Sequence, residues 1–525
     1  MKFLPCGLAL ALLPALATRA EVSLAPLFTD HAVLQRDQPV PVWGRADAGE
    51  KVAVTFRGQT REAVAGADGR WIVFLDKLPA SAEGADLTVA GRNTLALHDL
   101  VVGEVWLCSG QSNMEFTVGR AANAAAEIAA ADFPLIRHVR IAHTVAAAPA
   151  DTVKTSGWLP ATPATTGGFT AVGYFFARDI FKKLGVPVGL VHSSWGGTPV
   201  ESWISPVALA SNPAFKACGD RWAQMLAEFP LAKSQYDAQL AAWTAEETAA
   251  KAHAAKPAPR PTVKGPVKNS PPTHAAWLKL HPKPPAPRGP GDPWTPTGLF
   301  NGMINPLLPY ALRGALWYQG ESNAERAGEY RALFAALITA WRTHFGQRDL
   351  AFYWVSLANY TVPTDASGTS YAFLREAQTQ TLALPHTGQA LAIDLGQPDD
   401  IHPTNKQDVG RRLALLAQHR LYGITGDDTG PTLSGVTREG AALRVKLAHA
   451  DGLVAHDKPV QALELAGADK KFFPAAGKIE RDTLLVSAPE VREPVAVRYA
   501  WKNSPEANLY NGAGLPAVPF RSDKW

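Results

Sequence analysis

The chain has 525 residues, of which 46% are hydrophobic and 19% charged, and its formal charge is +4. At about 150 residues per domain, this length implies three or four domains with ample apolar material for cores, which excludes a disordered chain. Three cysteines cannot staple a chain of this size, and so small a positive excess excludes a general nucleic-acid surface.

The first residues read as a targeting segment. Lys2 precedes a mostly apolar stretch from Phe3 to Leu16, and Ala15-Leu16-Ala17 is a small-residue cleavage pattern; cleavage after Ala20 also fits. Residues 1–20 therefore predict a signal peptide, too short for a membrane span, and a secreted or periplasmic mature protein. No later stretch approaches the ~18 apolar residues of a span. Of the two remaining cysteines, Cys108 lies in the apolar run Val105-Trp106-Leu107-Cys108. That favours a buried free thiol over a disulfide with Cys218.

Residues 21–100 predict a β domain. Val52, Val54 and Phe56 alternate with Ala53 and Thr55, and Asp68-Gly69 makes a turn before Trp71-Ile72-Val73-Phe74-Leu75. From 101 to 429 apolar runs alternate with helical segments. The runs are Val101–Cys108, Val188–Val191, Gly314–Tyr318, Ala351–Val355 and Ala390–Leu395. The helical segments are Ala121–Ala131, Tyr174–Leu184, Glu329–Phe345, Tyr371–Leu384 and Asp408–Leu421. This predicts an α/β domain with a parallel sheet covered on both faces, and chemistry beyond the carboxyl ends of its strands.

Residues 205–296 interrupt the alternation. They hold a helical stretch, Lys233 to Lys251, and then 13 prolines between Pro257 and Pro296. Residues 251–288 contain six Lys, two Arg and no acid. The composition predicts a solvated, semi-rigid excursion. Period-two alternation returns at 430–525, as in Leu443, Val445 and Leu447, and predicts a second β domain.

Four strand ends carry candidate chemistry. The first is Cys108-Ser109-Gly110-Gln111-Ser112-Asn113-Met114-Glu115, where a Gly-x-Ser turn puts Ser112 on the sheet rim. A serine hydroxyl needs a base to become a nucleophile. The stretch Asp394-Leu395-Gly396-Gln397-Pro398-Asp399-Asp400-Ile401-His402-Pro403 supplies one in His402, with Asp399 or Asp400 to orient the ring. The others are His192-Ser193-Ser194-Trp195-Gly196-Gly197-Thr198 and Tyr318-Gln319-Gly320-Glu321-Ser322-Asn323. Acyl transfer needs donors for the oxyanion. The Ser112 amide, a Gly196 or Gly197 amide, and the side chain of Gln319 or Asn323 are the candidates.

These blocks, with Arg375-Glu376-Ala377-Gln378 and the tail Asn508-Leu509-Tyr510-Asn511-Gly512-Ala513-Gly514-Leu515-Pro516, resemble the sialate O-acetylesterase branch of the SGNH (GDSL-like) hydrolases. The resemblance spans almost the whole mature chain. It implies a flavodoxin-like, three-layer hydrolase domain with accessory β-sandwich domains, and a serine esterase without metal or other cofactor that removes acetyl groups from sugars. It carries the nucleophile to Ser112, the base to His402 and the acid to Asp399, and makes Arg375 a candidate for a sialate carboxylate. Acetylated hemicelluloses such as xylan or xyloglucan are the alternative substrates. The rival classes are a glycosidase, using two of Glu115, Glu201, Glu321 and Asp394, and a non-catalytic sugar-binding protein, using some of the 15 Trp. The glycosidase reading leaves Ser112 and His402 idle, and Trp is also ordinary core and interface material.

Overall fold

Alternation decides the N-terminal strands. In Lys51–Phe56 the side chains of Val52, Val54 and Phe56 are buried while Lys51 and Thr55 are exposed. In Arg70–Leu75, Trp71, Val73 and Leu75 face inward, and Ile72 and Phe74 face solvent. The computed structural model describes residues 21–254 and 273–525, so the expected leader and the middle of the Pro-rich excursion lie outside it.

One strand, Thr94–Gly110, joins this region to the next. Its first half pairs antiparallel with Ser81–Ala90. Its second half, buried at every residue from Leu100 to Gly110, pairs parallel with Val188–Ser194 and Gly314–Tyr318. Across the sheet the parallel strands run Phe133–Arg140, Val188–Ser194, Thr94–Gly110, Gly314–Tyr318, Ala351–Val355 and Thr387–Ala390.

Successive residues feed opposite faces. Trp317, Phe352 and Trp354 pack with Phe334 and Trp341 of the helix Ala327–His344. Leu316, Tyr318 and Tyr353 pack on the other face, against Phe175 and Phe176 of the helix Ala171–Leu184 and Leu413 of the helix Lys406–Arg420. The fold is therefore mixed α/β, with strands buried on both faces as parallel sheets require.

Three expectations need correction. The run Ala390–Leu395 is not a strand: the strand stops at Ala390. Arg412 donates to the Leu391 carbonyl at 2.7 Å and clasps Asp394 at 2.6 and 2.7 Å, so the chain coils around its guanidinium. The strand Phe133–Arg140 is an addition that the sequence hid, because its buried residues include Arg137 and His138. The helix expected at Lys233–Lys251 runs from Lys216 to Ala254, through Pro230. Pairs spaced four apart, Lys216–Asp220, Lys233–Asp237 and Glu247–Lys251, lace its exposed surface.

The described end of the excursion returns as a short helix, His274–Leu280, with Trp277 against Trp243 at 5.9 Å. The C-terminal region has two four-stranded sheets around its own cluster, which includes Leu465, Val486, Val497 and Tyr499. Cys108 and Cys218 are both buried free thiols, and burial is the main cause that pushes Cys218 up to about 11. Among the described residues, no helix is long and apolar enough to cross a membrane.

Arg375 is a structural tie between the parallel-sheet region and the C-terminal one. It is 1% exposed. It donates at 2.8 Å to the carbonyls of Leu357, Ala358, Lys502 and Asn503. Burial pushes its guanidinium down to about 9. A guanidinium spent in this way cannot reach a substrate carboxylate, contrary to the sequence expectation. Arg375→Leu strands these buried acceptors and should cost at least about 3 kcal/mol. Thermal unfolding reads the loss; an unchanged Tm with a raised KM for an anionic sugar ester would return Arg375 to the pocket.

Candidate active site

The turn that leads into Ser112 is forced by a close approach. Gly110 has φ +129°, and a Cβ there would stand 2.2 Å from the Tyr318 carbonyl oxygen. The next amide, Gln111 N–H, donates to that carbonyl at 2.9 Å. A four-residue helix, Ser112–Glu115, then begins, with Ser112 as its first residue. Gly196 crowds in from the neighbouring strand end, where a Cβ would meet the Ser112 Cβ at 3.2 Å.

His402 comes from the connection between the strand Thr387–Ala390 and the helix Lys406–Arg420, beside the buried Pro403. Its Nε2 lies 2.8 Å from Ser112 Oγ. Of the two candidate acids, Asp400 is the near one. Its Oδ1 accepts the His402 backbone N–H at 2.8 Å and sits 3.9 Å from Nδ1. Asp399 is exposed and, among the described residues, pairs with no part of His402. Burial pushes the imidazole below its ordinary value, helped by the charges of Lys406 and Arg120 and opposed by Asp400.

The expected oxyanion donors divide. Gly196 N–H is committed to Glu115 Oε2 at 2.8 Å. Gln319 and Asn323, both buried, are bonded to each other: Gln319 Nε2 donates to Asn323 Oδ1 at 2.7 Å and to the Thr198 carbonyl at 3.2 Å. Gln319 Oε1 accepts from the Tyr330 hydroxyl at 2.9 Å, and Asn323 Nδ2 donates to Glu201 at 2.8 Å. Both Gln319 Nε2 hydrogens are thus committed, whereas Asn323 Nδ2 has one hydrogen committed, to Glu201. Among the described residues, the backbone amides of Ser112 and Gly197 meet no acceptor.

The four carboxylates of the glycosidase reading are also committed. Glu115 holds Arg140 at 2.8 Å and His143 at 3.0 Å. Burial raises its carboxyl, but His143, the Gly196 amide and Arg140 outweigh that and hold it below the ordinary range. Glu201 holds Arg326 at 2.7 Å, and Asp394 holds Arg412. Glu321, pushed up by burial, accepts from Asn113 at 2.7 Å.

Sequence reasoning missed three residues here. Asn113 donates to the Ile401 carbonyl at 3.0 Å, beside His402. Lys406 is fully buried and donates to Asn113 Oδ1 at 2.6 Å. A lysine at the first position of a helix opposes the macrodipole, and that was the available signal. Arg120 is exposed, with its guanidinium 4.5 Å from the centre of the Phe116 ring, which stacks on His402 at 6.5 Å. Among the described residues, no group of three His, Cys, Asp or Glu is placed to hold a metal ion.

The family model described as carbohydrate esterase, sialic acid-specific acetylesterase matches residues 102–249 and 293–418. The sialate O-acetylesterase of Rattus norvegicus is 30% identical, with 98% of this chain and 97% of that protein aligned. The sialate O-acetylesterase of Mus musculus is 29% identical over 94% of this chain and 93% of its own length. Among solved structures, a carbohydrate acetylesterase from Xanthomonas citri superposes with a TM-score of 0.79 at 36% identity, covering 96% of this chain and all of that one. The chain belongs to the sialic acid-specific acetylesterase family of carbohydrate esterases and is a carboxylic ester hydrolase, a carbohydrate O-acetylesterase.

Proposed function

We propose that Ser112 and His402 are the nucleophile and base that release acetate from O-acetylated sugars. The supporting observation is the 2.8 Å contact between Ser112 Oγ and His402 Nε2 at the carboxyl end of the central strand. Ser112 Oγ attacks the acetyl carbonyl while its proton passes to Nε2. The oxyanion is held by the backbone amides of Ser112 and Gly197. His402 returns the proton to the departing sugar oxygen, leaving an acetyl-Ser112 ester. Water, deprotonated by His402, then cleaves that ester to acetate. Asp400 takes the orienting role that the resemblance gave to Asp399, since it holds the His402 backbone N–H and its carboxylate is the nearer of the two to Nδ1, at 3.9 Å. No step calls on a metal.

The same reading takes the hydrolase domain as flavodoxin-like. Setting aside the added strand Phe133–Arg140, the order Val188–Ser194, Thr94–Gly110, Gly314–Tyr318, Ala351–Val355, Thr387–Ala390 is second, first, third, fourth, fifth, the flavodoxin-like order. It divides the chain into β domains at 21–100 and 430–525 flanking a hydrolase domain at 101–429. The leader-like sequence at 1–20 supports export to the periplasm or medium.

The substrate is an acetylated sialic acid in this proposal. The family description supports it, and so does Arg120, an exposed cation on the His402 side of the rim. A neutral acetylated xylan or xyloglucan offers nothing for that charge. Arg120→Ala should raise KM for O-acetyl sialate about tenfold and leave a neutral acetyl-xylooligosaccharide unchanged. Equal effects on both would move the substrate to the hemicellulose class.

Ser112→Ala and His402→Ala should each lose roughly three powers of ten in kcat, and the double variant little more, because the two act as one unit. Losses that multiply would separate them. Asp400→Asn should lose more than Asp399→Asn.

The pH profile follows from the lowered imidazole. His402 acts as a base only when neutral, so kcat/KM rises with pH through its pKa. The acid limb of kcat/KM should have its midpoint below the ordinary ~6.5. A midpoint above it would contradict the electrostatics of the site.

A further inference from the structure

Asn113 and His402 sit on different elements, yet one side-chain amide holds them in register. Asn113 is 1% exposed, and its amide is fully used. Nδ2 donates to the Ile401 carbonyl at 3.0 Å and to Glu321 Oε1 at 2.7 Å, while Oδ1 accepts from Lys406 Nζ at 2.6 Å. Asn113 follows Ser112 and Ile401 precedes His402, so the amide spans the immediate neighbours of the reacting pair.

The two ends of an amide are nearly the same shape, and only the partners decide which way it points. Turned over, Oδ1 would face the Ile401 carbonyl and the Glu321 carboxylate, and Nδ2 would face the ammonium. Lys406 supplies the donor that makes the bracing orientation the favourable one. We propose that Lys406 is a positioning residue of the esterase site: it orients Asn113, and through Asn113 it holds the turns that carry Ser112 and His402 in register. This rests on Ser112 and His402 as the reacting pair.

The cost of keeping Lys406 there points the same way. It is fully buried, with the rings of Phe116 and Tyr318 centred 4.8 and 5.4 Å from Nζ. Burying an ammonium without a paired carboxylate in hydrogen-bond contact is unfavourable. Burial pushes its amine down to about 7, against the pull of Glu321 and Asp400 and with the push of Arg120. The nearby Glu321 Oε2 is buried with no hydrogen-bond partner. The network thus sacrifices stability, which is characteristic of functional sites. The amine can donate to Asn113 in either charge state. Below about 7, where the acid limb of a His base lies, it is charged. The charges facing His402 there are Lys406, Asp400 and Arg120. Removing the Lys406 charge raises the His402 pKa and moves the acid limb to higher pH.

The test is Lys406→Met in the full-length protein, assayed with a small acetyl ester beside wild type and Ser112→Ala. The expected result is a Tm equal to or above wild type, kcat down roughly ten- to hundredfold, KM within a few-fold, and an acid limb shifted to higher pH. Asn113→Ala should lose kcat similarly, and the double variant should lose no more than the worse single. Lys406→Gln removes the charge and keeps a donor, so its acid limb should also move up; an unmoved limb there overturns the charge role even where Lys406→Met cannot be purified. Wild-type kcat in Lys406→Met, or a fall in Tm with kcat intact, overturns the positioning role. If Ser112→Ala keeps full activity, the fault lies instead with the assignment of the reacting pair.

Discussion

The contact between Gly110 and the Tyr318 carbonyl sets the level from which the site is built. In the sheet register, Gly110 pairs with both Tyr318 and Ser194. Three strands therefore end side by side, and the chain leaves them as Gln111-Ser112, Trp195-Gly196 and Gln319-Gly320. The sequence blocks that carry chemistry meet because the register aligns their last paired residues. No side chain fits at Gly110, with φ +129° and a carbonyl oxygen 2.2 Å from where its Cβ would be. A residue there would push the central strand away from its neighbour and tilt the turn that presents Ser112.

Behind that rim, burial sorts the charged groups. Glu115, Glu201, Glu321 and Asp394 all lie near the strand ends, but each is bound to protein donors. Glu115, Glu201 and Asp394 are paired with arginines and Glu321 is held by Asn113, so they serve as struts and leave no pair free to flank a glycosidic bond. The imidazole differs. It keeps Nε2 on Ser112 Oγ and has only a distant carboxylate at Nδ1. Burial holds the imidazole below its ordinary value, with Lys406 and Arg120 adding to that and Asp400 opposing it.

Much of this was legible where spacing alone carries the information. Period-two burial gave Lys51–Phe56 and Arg70–Leu75, and apolar runs gave Gly314–Tyr318 and Ala351–Val355. The ordered blocks placed Ser112 and His402 on one rim, and their atoms are in hydrogen-bond contact. What failed depended on long-range partners. Phe133–Arg140 reads as polar because Arg137 is satisfied by the carbonyls of His31 and Asp99, far away in sequence. Arg375 looked like a pocket residue until the carbonyls of Lys502 and Asn503 were seen to claim it. Gln319 and Asn323 looked like rivals for one role, yet they bond to each other. Amide side chains at strand ends are ambiguous in sequence, because the same groups that hold an oxyanion also hold a loop.

The excursion at 205–296 bears on the rim in a way that its composition did not suggest. Its last described turn brings Trp294 Nε1 to the Gly197 carbonyl at 2.6 Å, and Arg288 stacks over the Trp294 ring at 3.1 Å. Gly197 has φ +72°, and among the described residues its amide meets no acceptor, so its peptide planes are set by few contacts. An indole clamped on its carbonyl fixes one of those planes. Its neighbour Gly196 is held by Glu115, whose other oxygen holds Arg140 and His143. The Gly196-Gly197 corner is thus gripped from two sides, by the hydrolase domain through Glu115 and by the excursion through Trp294. Oxyanion stabilisation depends on donors that are fixed before the charge develops. The segment whose composition reads as a solvated appendage is therefore in direct contact with the strand-end corner beside Ser112. Arg288 and Trp294 make that contact, through one stacked guanidinium and one indole hydrogen bond.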